Sequence, residues 1–378
     1  MIGSIGDQIF PICATVLILK NGSGALAISA IMSFRVGAFL LLAPIGGVWA
    51  DRLPRIRVMQ VSAFLRAFFC LGIFLSTTHG NMKLIYPLVF LMGAAEAFSG
   101  PAAVAVVASL VKESLILPAN ALHAMSGRLT SIIGPGLAAP VIALVGARNG
   151  FLVTAGTFFF TFFGLFGIKD ASTPTSERLP FFSELRIGWL EIKRRTWMFS
   201  VIVGLSLQTS ILFGAEMVLL PVITNRQFNS SSVYPFAIAS LSAGSLISAY
   251  LATKWNVERK GLVAFLSWSA LIILPLVLIF PISEEFVIVC YFIGGIATQP
   301  MGVFWATAIQ QTIADDKRGR VTSLEATVTR ALMPIGMMVA GPLSEAMGER
   351  RYLTSTILVF LTSIAFTSRT KGVSNFSD

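Results

Sequence analysis

Gly46-Gly47-Val48-Trp49-Ala50-Asp51-Arg52-Leu53-Pro54-Arg55-Ile56-Arg57 is where an apolar run of membrane-spanning length meets a cluster of charge. Residues 24–50 carry a single ionisable side chain, Arg35. At 1.5 Å of rise per residue such a run crosses a hydrocarbon core of roughly 30 Å. Three arginines follow within six residues. A short basic loop of this kind marks the cytoplasmic side, because Lys and Arg resist translocation.

The composition agrees. The chain has 378 residues, of which 55% are hydrophobic and 12% charged, with 30 phenylalanines and a mean hydropathy of +0.80. Soluble domains carry roughly 25% charged residues, so this is a polytopic membrane protein. The net charge of +10 sits in short loops and forms no stripe or arm, which argues against nucleic acid as a partner. Cys13, Cys70 and Cys290 lie in apolar runs with no pairing framework. Met1 begins within apolar sequence and lacks the basic leader of a signal peptide. There is no nucleotide-binding P-loop, and His79 and His123 suggest neither a metal cluster nor a hydrolytic triad, so no enzyme, metal or cofactor is expected.

Apolar runs alternating with polar breaks give about twelve spans: 1–20, 24–50, 58–78, 84–111, 118–146, 150–168, then 197–223, 233–253, 261–282, 286–310, 321–345 and 353–368. With the N-terminus inside, loops on that side hold 18 Lys and Arg and loops on the other hold 6. Both termini are therefore expected to be cytoplasmic. Arg350-Arg351 is the exception to the bias.

Three blocks follow: a six-helix bundle over 1–168, a linker over 169–196 and a second bundle over 197–378. Within the linker, Phe182, Leu185, Trp189 and Ile192 recur at helical spacing, as in an amphipathic helix lying at a membrane surface. The halves carry traces of a duplication. Pro101 and Pro135 are 34 residues apart, as are Pro300 and Pro334, at an offset of 199.

Ionisable side chains deep in apolar spans cost roughly 2.5–3.5 kcal/mol or more each and are functional candidates by default. Counted from the outer ends of their spans, Asp7, Arg35, Arg66 and Glu96 lie about 20, 16, 18 and 18 Å deep. Two acids and two arginines in one layer can pair, and a midplane carboxylate beside an aqueous cavity suits proton coupling. Glu96 is the first choice for that role. Glu216 in helix 7 could bind a cationic substrate or line a wet cavity, and Gln208 and Trp305 are further substrate-binding candidates.

The pattern Gly47-x-x-x-Asp51-Arg52-x-Pro54-Arg55-x-Arg57 resembles the loop between helices 2 and 3 of major facilitator superfamily transporters, in the form with proline found among bacterial drug and siderophore exporters. Gly93 to Pro101 and Arg318-Gly319-Arg320 are similar to segments of the same branch. Gly134-Pro135 resembles a worn form of that branch's antiporter motif in helix 5. The resemblance implies an all-α membrane protein of about twelve helices in two six-helix bundles, its first helix shortened at the N-terminus. It implies a monomer of the inner membrane that exports an amphipathic small molecule in exchange for protons and has no bound cofactor. Asp51 with the basic residues of both motifs would form a conformational gate. A siderophore cargo is the alternative within transport; a non-transporting membrane sensor or scaffold is the alternative outside it.

Overall fold

The computed structural model describes residues 2–111, 115–168, 181–252, 254–255 and 257–377. It is helical throughout these segments, as twelve uninterrupted apolar runs demand: in hydrocarbon every backbone N–H and C=O must be satisfied within its own segment. The first unit contains α1 (Ile2–Lys20), α2 (Ala25–Arg52), α3 (Arg55–Thr78), α4 (Ile85–Leu110) and α5 (Ile116–Gly164). The second contains α6 (Phe181–Arg194), α7 (Thr196–Phe228), α8 (Val233–Ala252), α9 (Lys260–Ser269), α10 (Ile273–Ile279), α11 (Glu284–Thr312), α12 (Asp315–Ala331), α13 (Met333–Met347) and α14 (Glu349–Ser368). Among the described residues, ten helical stretches are long and apolar enough to cross a membrane.

The difference from twelve lies at two places. The fifth and sixth expected spans join as α5, which turns at Gly146 with φ 83° and ψ 158°, a conformation open essentially to glycine alone. The last helix, α14, opens with Glu349-Arg350-Arg351 and is rich in Thr and Ser, so it is less apolar than the others. Elsewhere the breaks follow proline. The ninth span is interrupted by a 3₁₀ turn at Ala270–Ile272 ahead of Pro275, and the eleventh divides between α12 and α13 ahead of Pro334. Helix α7 runs five residues beyond the expected end at 223, to Phe228.

The chain divides into compact units at Ser176/Glu177, and each unit packs by the same scheme. In the first, α1 lies along α5 and α2 along α4; in the second, α7 lies along α13 and α8 along α11. Close approach depends on glycine. A Cβ on Gly93 of α4 would collide with the carbonyl of Arg35 on α2, and one on Gly295 of α11 with the carbonyl of Leu241 on α8. Without a hydrophobic driving force between helices in lipid, such small-residue contacts and interhelical hydrogen bonds hold the bundle. Ser210 on α7 donates to the Leu332 carbonyl at 2.6 Å, beside the break that Pro334 introduces, and Ser248 on α8 donates to Ile296 on α11 at 2.6 Å.

Helix α6 packs against α12 and α7 of its own unit. Ile192 is fully buried there, while Trp189 meets Phe199 edge-on at 5.7 Å; the side chains of Phe182 and Leu185 lie outside the described residues. The helix is pinned by Glu191. Its carboxylate accepts from Arg195 at 2.7 Å and from Lys317, on the first turn of α12, at 3.2 Å. Those hydrogen bonds, Arg195's first, hold the carboxyl below the usual carboxylate range against the opposing effect of burial.

Two outcomes follow from this packing. Gly295→Val overpacks the α8–α11 contact at a cost of about 1–3 kcal/mol, seen as a lowered melting temperature in detergent; Gly136→Ala, with open space at that position, leaves it unchanged. Because the folded state lowers the Glu191 pKa, the stabilisation is present at neutral pH and fades as pH falls through the folded value, below about 4.3. Glu191→Gln is therefore less stable than the parent at pH 7, and the gap closes on acidification through that range, measured by thermal unfolding at each pH.

Candidate functional site: a buried chain of charges

The four charges of the N-terminal layer meet. Arg35, 8% exposed, donates from one guanidinium nitrogen to Asp7 Oδ1 at 2.8 Å and to Glu96 Oε2 at 2.9 Å. Its other terminal nitrogen reaches the Asp7 carbonyl at 3.2 Å. Arg66, 6% exposed, pairs with the same Asp7 oxygen. The order is Glu96, Arg35, Asp7, Arg66, brought together from α4, α2, α1 and α3. Paired this way, two carboxylates and two guanidiniums balance to zero net charge, which limits the cost of burying them.

Local packing fixes the geometry. Gly93, one turn before Glu96, lets α4 lie against the backbone of Arg35, and Gly134 of α5 abuts Gln8, next to Asp7 on α1. Aromatic rings back both arginines: Arg35 lies 5.2 Å from the ring centroid of Phe10 and Arg66 lies 4.0 Å from that of Phe158. A guanidinium over a ring face gains roughly 0.5–2 kcal/mol and loses its freedom to turn away.

A cavity of about 560 Å³ opens onto Asp7, Arg66 and Glu96 within this unit. The acids face it more than the cations do: their side chains are 18% and 28% exposed, against 9% and 7% for Arg35 and Arg66. His123, Ser126 and Thr130 line the same cavity. Sequence reading passed over them, although a polar i, i+3, i+7 stripe on helix 5 was there to be seen.

The other candidates are spread through the molecule. Arg55 is buried at the start of α3, whereas Arg57 is exposed at the rim of a hollow of about 400 Å³ walled by Leu53, Val61 and Phe98. Gly47, Asp51 and Arg52 fall in α2, and Gly319 and Arg320 in α12; the side chains of Asp51, Arg52 and Arg320 lie outside the described residues. Arg318 closes the end of α11, donating to the carbonyls of Gln310 at 2.8 Å and Ile313 at 3.2 Å. Pro135 sits within α5. In the second unit, Gln208 donates to Ser363 at 3.2 Å, and Trp305 packs edge-on against Trp197 and Phe376 at 5.9 and 5.7 Å. Glu216 is buried, at 6% exposure. Among the described residues no group of His, Cys, Asp and Glu could hold a metal ion.

Removing one member of the buried chain strands its partners. Arg35→Gln leaves Glu96 without its guanidinium and Asp7 with Arg66 alone, and costs about 3–5 kcal/mol; adding Glu96→Gln recovers part of that loss. Thermal unfolding of the single and double variants in detergent measures the coupling, and additive effects would refute the pairing.

Comparison with known proteins agrees with this architecture. The model of the Major Facilitator Superfamily matches residues 2–336. The multidrug efflux pump Tap of Mycolicibacterium fortuitum is 22% identical over 344 residues, covering 88% of this chain and 84% of that one. Among solved structures, a bacterial homologue of the iron transporter ferroportin in an inward-facing state superposes with a TM-score of 0.67 at 17% identity, over 98% of this chain and 96% of that one. The nucleoside transporter NupG superposes with a TM-score of 0.66 at 13% identity, over 98% of both chains. The resemblance of the loop at Gly47–Arg57 and the fold expected from it are thereby met, and the chain belongs to the major facilitator superfamily, as a multi-pass membrane transporter and not an enzyme.

Proposed function

We propose that this transporter exports an amphipathic small molecule across the cytoplasmic membrane in exchange for protons. The chain is organised as two six-helix bundles, residues 1–168 and 197–378, with the 169–196 connection and both termini on the cytoplasmic side, and works by alternating access. The direction and cargo class are supported by similarity to the multidrug efflux pump Tap, and the placement of the termini by the 18 to 6 distribution of loop Lys and Arg.

The observation that carries the coupling is the chain Glu96–Arg35–Asp7–Arg66 beside a cavity of about 560 Å³. Proton exchange needs a carboxyl that water can reach in one state and whose charge is held by a partner in another. Glu96 meets both needs: it faces the cavity and is held by one guanidinium. Asp7 is held by two. Glu96 is therefore the proton carrier and Asp7 the anchor that keeps both arginines in place. Protonating Glu96 frees Arg35 from one of its contacts and weakens the tie between α2 and α4.

In proteoliposomes loaded with a pH-sensitive dye, a panel of cationic dyes, macrolides and siderophores is expected to include a cargo that releases protons on transport. Glu96→Gln abolishes that proton flux while cargo binding persists. Cargo-driven proton flux that survives the substitution would remove Glu96 from the mechanism, and a folded protein that moves protons with no compound would remove antiport.

A further inference from the structure

We propose that Glu216 recognises a positively charged group on the cargo, a protonated amine or a quaternary ammonium, inside the second unit. The inference rests on the reading of the protein as a small-molecule exporter and specifies its substrate class. Glu216 lies on α7 and is 94% buried, since its exposure is 6%. Its Oε2 has no hydrogen-bond partner, and its carboxyl makes no ion pair among the described residues. Tyr291 on α11, 0% exposed, also has a buried Oη without a partner. Phe213, one turn before Glu216, meets Trp268 edge-on at 6.2 Å, and the indole Nε1 of Trp268 is buried without an acceptor.

A carboxylate this deep in a low-dielectric interior stays ionised only if a cation meets it. In the first unit the embedded acids already face arginines, so a cationic cargo gains little there. Glu216 has its charge unspent. The surrounding rings decide which cation fits. Hard metal ions take six or more oxygen ligands, and the described residues offer no group of three or more His, Cys, Asp and Glu. An organic ammonium needs one carboxylate and an aromatic face, and the Phe213–Trp268 pair, one turn from Glu216 on α7, offers one. Both Glu216 Oε2 and Tyr291 Oη are shielded from solvent, so the ammonium enters when this unit opens.

The test uses the full chain, with tritiated tetraphenylphosphonium as the cationic probe and chloramphenicol as a neutral amphipath of drug size. Glu216→Gln is expected to weaken tetraphenylphosphonium binding at least about tenfold, the scale of a lost charge contact in an aromatic site. Glu216→Asp keeps most of the affinity. The melting temperature of Glu216→Gln equals or exceeds the parent's, because an unpaired buried acid has been neutralised. On the parent itself, tetraphenylphosphonium shields Glu216 from dicyclohexylcarbodiimide, read by mass spectrometry of the modified peptide, so the result does not depend on a variant folding. Binding by Glu216→Gln within about twofold of the parent, or no shielding, overturns the inference. A parent that exports chloramphenicol yet binds no tetraphenylphosphonium overturns it too and leaves the exporter reading standing. Transport of neither compound overturns the exporter reading and this inference with it.

Discussion

Arg35 is the residue on which the first unit depends, and it acts through both its side chain and its backbone. Its guanidinium joins Asp7 on α1 to Glu96 on α4; its carbonyl is the surface against which Gly93 lets α4 close. The two contacts require each other. With a side chain at 93 the helices would stand apart and Glu96 would lose Arg35, leaving an uncompensated charge in the interior. Without the ion pairs, four buried charges would oppose the very approach that the glycine permits. Packing and electrostatics here are one constraint.

The two units share a packing scheme and differ in charge. First-to-fifth and second-to-fourth span contacts recur in each, with Gly93 and Gly295 in matching roles. Yet the first unit buries acids that face arginines, whereas the second buries Glu216 with its Oε2 unpartnered and no ion pair to it among the described residues. A duplicated scaffold can diverge in this way because helix contacts made by small residues leave the other faces of each helix free to vary. On the functions proposed, one half holds the proton and the other reads the cargo.

Much of this was legible before any coordinates. The apolar runs set the number of spans, and a rise of 1.5 Å per residue placed Asp7, Arg35, Arg66 and Glu96 at one depth. Depth comes from a single helix, but azimuth does not. Nothing in the sequence says that Arg35 pairs with both acids while Arg66 pairs with Asp7, or that Phe10 and Phe158 lie beneath the two guanidiniums. The same gap holds for Trp305, a substrate-binding candidate in the sequence, whose packing against Trp197 and Phe376 the sequence does not show. The docking of α6 was equally hidden, because the partner of Glu191, Lys317, is 126 residues away in the chain.

The unequal holding of the two acids also bears on how such a site could switch. A hydrogen bond to a charged group contributes about 1.5–3 kcal/mol, and moving one charge through 100 mV of membrane potential yields about 2.3 kcal/mol. These are comparable, so on the proton coupling proposed the guanidinium contact of Glu96 is one that the driving force can make and break. Asp7 is held by two guanidiniums and takes a further hydrogen bond from Arg35 on its backbone carbonyl, which puts its release beyond the same driving force. If both acids were held as Asp7 is, the layer would be a rigid structural bridge; if both were held as Glu96 is, protonation would leave the arginines unpaired. On the coupling proposed, one firm contact and one yielding contact on the same arginine let protonation loosen the tie between α2 and α4 while α1 stays joined to α2.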